Sequence, residues 1–269
     1  MTSLHTFASG SEGNCLLVSC GNTHILVDAG ISTRRIKTSL AQLGLTMDDI
    51  AAIFLTHDHT DHVCGLATLC KHHATPLYAS EGTAAQLIWR LNLPSQRIST
   101  VRSGETLTLG HCRVQVFPTS HDGHQGVDYR IDSAEGSIGV LTDTGIVTDE
   151  AFDALCGVDL LVLESNHDVE WLQSGPYPYQ LKQRILGLRG HLSNDDAARF
   201  AAEMVRRGTK EIVLAHLSRE NNTPARAFEV TRRHLSANGI DPDRDIRLAV
   251  AHHTDLGPTY TVTREGSLC

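Results

Sequence analysis

No stretch of this sequence is apolar for long enough to cross a membrane, although hydrophobic residues make up 41% of its 269 positions. The N-terminal stretch MTSLHTFASGSEGN has neither the basic nor the apolar region of a signal peptide, so we expect a cytoplasmic protein. The sequence also contains no Cys-x-x-Cys pair, and its seven cysteines are scattered, mostly within apolar runs. We therefore expect reduced thiols in the core.

Lysine is scarce, and the net charge is −8 with histidine neutral. This balance argues against a broad basic face of the kind that holds duplex DNA nonspecifically, but it permits a local basic patch. Nineteen of the 23 cations are arginine, which makes forked contacts with phosphate. The sixteen histidines are more than a domain of this size usually carries, and they direct attention to metal binding.

Hydrophobic periodicity and turn residues predict short apolar strands that alternate with helices, which indicates an α/β fold. The predicted strands cover residues 4–7, 15–19, 23–27, 50–56, 106–109, 113–118, 126–132, 137–141, 159–163, 212–215, 246–251 and 259–263. The predicted helices cover residues 33–43, 65–73, 81–91, 195–206 and 224–236. Because the sequence has no internal repeat, low-complexity tract or Pro/Ser linker, we expect a single domain over residues 1–269.

Several of the predicted strands end next to a side chain that can bind a metal or transfer a proton. These side chains are Asp28, His57, His121, Asp143, Glu164 and His216. Strand ends on one edge of stacked sheets converge on one surface, so residues far apart in the sequence can meet there. The pattern predicts a functional site along one edge of the sheets.

A dense group of ligand-type side chains, HDHTDH at residues 57–62, directly follows one of these strands. His57 and His59 alternate with Asp58, so their side chains can point the same way from an extended turn. Asp61 and His62 begin a helical turn and point to an adjacent position. The spacing predicts two neighbouring metal ions, one held by His57 and His59 and the other by Asp61 and His62.

Three distant residues can complete the two ligand sets. His121 can join the first set, His216 can join the second, and Asp143 can bridge both metals through its two carboxylate oxygens. Histidine and carboxylate ligands suit zinc, manganese or iron. A purely structural metal site is disfavoured, because such sites are usually mononuclear and cysteine-rich, and no cysteine lies in this group.

Taken together, these motifs resemble the metallo-β-lactamase superfamily. The matching positions are Asp28, THDHTDH at 56–62, His121, Asp143 in LTDTG, and His216, and they span nearly the whole chain. The resemblance implies an αββα sandwich, with two mixed sheets flanked by helices and a dinuclear metal site along one edge. It also implies that Asp28 orients a ligand histidine or the metal-bound water from behind.

Four further stretches resemble the YycJ/WalJ-like metallo-hydrolases of this superfamily: SGSEGNC at 9–15, ESNHD at 164–168, GHLSN at 190–194 and AHLSRENN at 215–222. The last two are also similar to signatures of ribonuclease Z, in which a Glu–His pair beside the metals handles the leaving-group proton. Carried over, this pair is Glu164 and His191, and it acts with Asp61 in catalysis. The resemblance implies phosphodiester hydrolysis by two divalent ions, in a nuclease that acts on DNA as an exonuclease.

Candidate substrate contacts lie close to these motifs. The SGSEGN loop can offer backbone N–H groups and hydroxyls to a phosphate, and a tyrosine in the Gly/Pro-rich stretch between Glu164 and His191 can stack on a base. The candidates are Ser9, Ser11, Asn14, Tyr177 and Arg219. The resemblance to the YycJ-like group favours DNA over RNA as the substrate. Processing of tRNA is disfavoured, because the sequence has no obvious basic arm of the sort that ribonuclease Z uses to grip tRNA.

Alternative functions would use the same metal site. A thioester or ester hydrolase of the glyoxalase II type would need a hydrophobic or glutathione pocket and would not need the Glu164–His191 pair. A small-molecule phosphodiesterase is compatible with the acidic net charge. A secreted β-lactamase is disfavoured by the missing signal peptide and by Asp61 in the ligand group.

Overall fold

Short apolar segments form the strands of two seven-stranded sheets in this computed structural model, which describes residues 1–263. The strands are β1 (Thr2–Ala8), β2 (Cys15–Cys20), β3 (Thr23–Val27), β4 (Ile50–Phe54), β5 (Leu77–Ser80), β6 (Ile98–Val101), β7 (Thr106–Leu109), β8 (Cys112–Pro118), β9 (Val127–Asp132), β10 (Ser137–Leu141), β11 (Leu160–Glu164), β12 (Glu211–Ala215), β13 (Arg247–Val250) and β14 (Tyr260–Val262). The α-helices are α1 (Thr33–Gln42), α2 (Thr60–Val63), α3 (Leu66–His72), α4 (Glu81–Leu91), α5 (Asp149–Leu155), α6 (Val169–Ser174), α7 (Tyr179–Ile185), α8 (Asn194–Arg206) and α9 (Pro224–Ala237).

Each sheet has an antiparallel half and a parallel half. The first sheet runs β14-β1-β2-β3-β4-β5-β6 and becomes parallel from β3 onward. The second runs β13-β12-β11-β10-β9-β8-β7 and is parallel from β13 to β10. Parallel strands place their carboxyl ends on the same edge, so the residues that follow β3, β4, β10, β11 and β12 gather there. The predicted class of two mixed sheets flanked by helices is confirmed.

Successive side chains of each strand point to opposite faces of its sheet, and the buried apolar side chains form three layers. In β11, Leu160 and Val162 face the opposite sheet, whereas Leu161 and Leu163 face the outer helices. Strands buried on both faces need a continuous apolar run, which is the pattern of the central strands here. Burying one leucine side chain completely stabilises the folded state by about 1.5–3 kcal/mol. The many buried leucines therefore make the sheets a rigid support for the edge where the site lies.

The structure also contains elements that the sequence pattern did not predict, namely β5, β6, α5, α6 and α7. The strands β5 and β6 have four residues each. The glycine and proline residues of the stretch that contains α6 and α7 predict a loop, whereas the structure forms two short helices there. Trp89, which the apolar pattern of α4 predicts to be a core residue, is 78% exposed because it lies on the outer side of that helix.

No helix within residues 1–263 is both long enough and apolar enough to cross a membrane. The six cysteines in this part of the chain are free thiols, and three of them are buried: Cys15, Cys20 and Cys112. Cys269 lies outside the described residues.

Candidate metal centre

Three residues that follow strands on the shared edge have a left-handed backbone. The φ angles of Asp28, Asp143 and His216 are 63°, 49° and 53°. Residues other than glycine rarely adopt this conformation, which costs on the order of 1–3 kcal/mol and persists where surrounding structure enforces it. The chain turns sharply at each of these strand ends, and the three side chains meet over the sheet edge. Nothing in the local sequence indicated this strained geometry.

The predicted ligands converge in two groups at this edge. The groups are His57, His59 and His121, and Asp61, His62 and His216. Within each group the donor atoms all lie within 4.8 Å of one another. Asp143 lies between the groups, with Oδ2 3.0 Å from His62 Nε2 and Oδ1 3.7 Å from His121 Nε2. The structure therefore brings together all seven residues that the sequence predicts as ligands, in the two predicted sets.

Two donor atoms in this cluster are buried and unpaired. His57 Nε2 and His216 Nε2 make no hydrogen bond with any residue that the structure describes. Each unsatisfied buried polar group costs about 1–3 kcal/mol, so two at one place indicate a ligand that takes up their lone pairs. Imidazole nitrogens and carboxylate oxygens together fit a divalent metal ion.

Asp28 supports the second ligand group from behind. Its Oδ2 accepts a hydrogen bond from His62 Nδ1 at 2.7 Å, and its Oδ1 accepts one from the Thr56 backbone N–H at 2.9 Å. The Thr56 hydroxyl also donates to Asp28 Oδ2 at 2.9 Å. A carboxylate on Nδ1 fixes the tautomer of the imidazole and leaves Nε2 as the metal-binding atom. In the sequence, the signal for this role of Thr56 is its position directly before His57.

Replacing Asp28 with asparagine is expected to weaken metal binding by about ten- to a hundredfold, because the amide holds His62 less firmly in the required tautomer. Competition with a chromogenic chelator measures this affinity. Asp159→Asn is the matched control, since Asp159 Oδ2 also accepts from a backbone N–H and a hydroxyl, those of Ser137, at 2.8 and 2.9 Å. Equal metal affinity in the Asp28→Asn and wild-type proteins would contradict this role.

Glu164 lies at the end of β11, fully buried, and connects the predicted ligand His216 to His191. Its Oε1 is 2.7 Å from His191 Nδ1 and 2.9 Å from His216 Nδ1. Its Oε2 accepts hydrogen bonds from the backbone N–H groups of Thr144 and Leu192 at 2.9 and 3.1 Å. Burial opposes the charge on this carboxylate, but the His191 imidazole and the hydrogen bonds from both histidines lower the pKa of Glu164 to about 2.

His191 stands beside the ligand cluster with one ring nitrogen engaged. Burial would lower the pKa of His191, but the Glu164 carboxylate and its hydrogen bond outweigh burial and raise it. His191 Nδ1 is 3.5 Å from Asp143 Oδ1, and 20% of the side chain is exposed toward the adjoining pocket. Since Nδ1 is held by Glu164, Nε2 is the atom available to a bound substrate. The structure thus brings together the two residues that the resemblance paired.

The cluster opens into a pocket of about 380 Å³. Its lining includes five of the predicted ligands together with Tyr177 and residues on one side of α7. Of the predicted substrate contacts, Ser11 and Tyr177 line this pocket. Arg219 does not line it, and Arg219 Nη1 lies 2.8 Å from Glu12 Oε1 on the surface.

Ser9 and Asn14 do not reach the pocket surface, which corrects their expected role as direct substrate contacts. The Ser9 hydroxyl accepts the His216 backbone N–H at 2.8 Å. The Asn14 amide bonds to both the N–H and the carbonyl of Gly10, and its Nδ2 is 2.9 Å from His62 Nε2. These short side chains are 4% and 6% exposed, because they hold the loop against the ligand histidines.

Two further pocket residues, Asp122 and Asn166, were not identified in the sequence. Asn166 Nδ2 donates to the His216 carbonyl at 2.9 Å. Asp122 directly follows His121, and its carboxylate lies 3.4 Å from His59 Nε2. The available signal for both was a short polar side chain next to, or in the same motif as, a predicted site residue.

Comparison with known proteins gives matches over most of the chain. A family model described as a beta-lactamase superfamily domain matches residues 23–217. Exodeoxyribonuclease YycJ of Bacillus anthracis is 38% identical over 216 residues, covering 80% of this chain and 82% of its own. Exodeoxyribonuclease WalJ of Streptococcus pneumoniae is 39% identical over 223 residues, covering 80% of this chain and 81% of its own.

Among solved structures, the metallo-beta-lactamase fold protein YhfI from Bacillus subtilis superposes with a TM-score of 0.70 at 16% sequence identity. The superposition covers 96% of this chain and 100% of YhfI. At this identity the likeness concerns the fold alone, and it agrees with the two mixed sheets described above. The resemblance inferred from the sequence motifs is confirmed by these matches.

Proposed function

The chain belongs to the metallo-β-lactamase superfamily, and within it we propose that the protein is an exodeoxyribonuclease. It is a metal-dependent hydrolase, and phosphodiesters are the substrate class that its site fits best. One observation carries the proposal: His191 Nδ1 lies 2.7 Å from Glu164 Oε1 beside the ligand cluster. An alkoxide leaving a phosphodiester needs a proton from such a pair, whereas a thiolate leaving a thioester does not. The relatives that match 80% of the chain and are named exodeoxyribonucleases support the same choice.

The two ligand groups would hold two divalent ions, with Asp143 shared between them. When bound, zinc or manganese would lower the pKa of water and neutralise charge on the phosphate oxygens. Asp61 contributes to one ligand group and lines the pocket, so it faces both the ion and the substrate. Both sheets supply residues to this site, which supports the proposal that the chain works as one domain.

The protein's own side chains would handle the leaving group. Glu164 favours the protonated form of His191 and fixes its ring through Nδ1. Nε2–H of His191 then donates its proton to the oxygen that leaves the phosphorus, and the neutral ring keeps its Nδ1–H on Glu164. Glu164 also binds His216 Nδ1, so one carboxylate positions the acid relative to the metal ligands.

We propose DNA as the substrate and the cytoplasm as the location. A pocket of about 380 Å³ is near the lower end for ligand sites, which suits the end of one strand better than a continuous duplex. A net charge of −8, which argues against a broad basic face, fits recognition of a strand end with few phosphate contacts. Free cysteines in the core are compatible with a reducing compartment.

Incubation with end-labelled DNA tests the function directly. Protein loaded with manganese, and separately with zinc, is expected to shorten 5′-labelled single- or double-stranded DNA stepwise from an end and to act more slowly on RNA of the same sequence. The Asp61→Ala, His62→Ala double variant is the blank. Protein that holds about two ions per chain but cleaves neither DNA would contradict the proposal. Turnover of bis(p-nitrophenyl) phosphate or of a glutathione thioester would then identify the alternative.

A further inference from the structure

A charged pair outside the predicted ligand set closes one side of the pocket. Arg184 Nε lies 2.5 Å from Asp122 Oδ2, and the arginine side chain is 58% exposed. The other carboxylate oxygen, Asp122 Oδ1, is buried, is 3.4 Å from His59 Nε2 and is 3.5 Å from His121 Nε2. The carboxylate therefore separates the guanidinium from the ligand histidines, so Arg184 stands at the edge of the cluster rather than inside it.

Arg184 shares one face of α7 with two apolar side chains. Leu181, Arg184 and Ile185 are spaced so that they lie on the same side of a helix, and all three line the pocket. Leu181 and Ile185 are only partly buried, although they face a wall of histidines and carboxylates. This face of α7 thus offers apolar surface and one positive charge, the combination that a nucleotide unit requires. Among the described residues that line the pocket, Arg184 is the only arginine or lysine.

Hydrogen bonds hold the segment around α7 against the metal centre. Lys182 Nζ donates to the carbonyls of Gln173 and Gly175, both at 2.7 Å. After the helix, Arg189 Nη2 donates to the His121 carbonyl at 2.8 Å, so the segment is tied to a predicted ligand. The wall is therefore preformed, and the guanidinium of Arg184 has a defined position relative to the cluster.

We propose that Arg184 binds a non-scissile phosphate of the DNA strand, while Leu181 and Ile185 contact the sugar or base of the adjoining nucleotide. The inference rests on the proposed function and extends it by naming a phosphate subsite. In the free protein, Asp122 holds the guanidinium at the pocket edge. A phosphodiester presents two oxygens to an arginine fork much as a carboxylate does, so it replaces Asp122 at the guanidinium when the strand enters. Asp122 keeps its contact with His59 through Oδ1.

If Arg184 binds a second phosphate, the Arg184→Gln substitution should lower kcat/KM more for a substrate with several phosphates than for a substrate with one. For a single-stranded deoxyoligonucleotide, kcat/KM is expected to fall by about tenfold or more, because a charge-assisted contact is lost. For bis(p-nitrophenyl) phosphate, which has no second phosphate, kcat/KM should fall by much less than for the oligonucleotide. The slope of log Kd against log salt for a fluorescein-labelled oligonucleotide should decrease by about 0.7, the value for one phosphate of a single strand. Arg184→Lys keeps the charge without the fork and should retain the slope while losing part of the affinity.

Arg244→Gln is the matched control. Arg244 Nε also pairs with an aspartate, Asp245, at 2.9 Å, its side chain is 75% exposed, and it does not line this pocket. Equal losses on both substrates, an unchanged salt slope, or loss of bound metal in Arg184→Gln would each overturn the subsite. Wild-type protein that hydrolyses bis(p-nitrophenyl) phosphate but not DNA would instead overturn the proposed function. Wild-type and Arg184→Gln proteins that cleave DNA equally well would overturn only the subsite.

Discussion

Replacing Asp143 with alanine is expected to lower kcat/KM for DNA by at least about 10³-fold and to reduce bound metal from about two ions per chain to one or fewer. Asp143 is the residue that touches both ligand groups, with Oδ2 3.0 Å from His62 Nε2 and Oδ1 3.7 Å from His121 Nε2. Without this carboxylate each group would lose a proposed ligand and the negative charge that would balance the metal. Metal analysis by mass spectrometry and steady-state kinetics on the same preparation measure both effects.

Asp128→Asn is a closely matched control for this variant. Asp128 is a fully buried carboxyl group on the neighbouring strand β9, and its Oδ2 accepts the Thr142 backbone N–H at 2.7 Å. Burial raises the pKa of Asp128 well above its ordinary value, so an amide preserves its charge state. This variant should keep metal and activity. Asp143→Asn retains the shape of the site, and if that folded variant held both ions and full activity, the bridging role of Asp143 would be refuted.

Replacing His191 with alanine is expected to slow DNA hydrolysis by about 10²- to 10⁴-fold, the usual range for loss of a general acid, with metal content unchanged. The reason is geometric, because His191 Nδ1 is held by Glu164 at 2.7 Å and only Nε2 can meet the leaving oxygen. Bis(p-nitrophenyl) phosphate should be affected much less, since nitrophenolate leaves without a proton. The ratio of the two losses therefore measures proton transfer separately from binding.

Replacing Glu164 with glutamine tests the same proton transfer through the partner of His191. The amide preserves much of the size of Glu164 but removes the charge that raises the pKa of His191. It should reproduce a large part of the His191→Ala loss on DNA. Loss of bound metal in the His191→Ala protein would place His191 in the ligand set instead. An equal loss of activity on DNA and on bis(p-nitrophenyl) phosphate would assign it to substrate binding rather than to proton transfer.

Local sequence was sufficient for the parts of the site that depend on neighbouring residues. The spacing of His57, His59, Asp61 and His62 follows from an extended turn that enters a helix, and the structure keeps both features. The strand-end pattern also located His121, Asp143 and His216, because the carboxyl ends of these strands share one edge. In these cases the periodicity of a strand or a turn fixes where the side chain points.

Other features depend on which segments meet, and no local pattern contains that information. Ser9 and Asn14 have the composition of a phosphate-binding loop, but packing against His216 and His62 occupies their side chains. Trp89 follows the apolar pattern of its helix, yet it lies on the solvent side. The short helix α7 was hidden by the glycine and proline residues around it.

The sequence by itself determined the ligand types, their spacing within residues 57–62 and the alternation of strands and helices, since these depend on chemistry and on periods of a few residues. Only the tertiary structure decided the pairings Asp28–His62 and Asp122–Arg184, whose members are 34 and 62 residues apart. The pair Glu164 and His191, 27 residues apart, was implied by the family resemblance, and the tertiary structure supplied its geometry. It also decided the left-handed backbone at Asp28, Asp143 and His216. Such contacts and strains arise because two packed sheets force distant strand ends onto one edge, and packing energy that is distributed over the whole core holds them there.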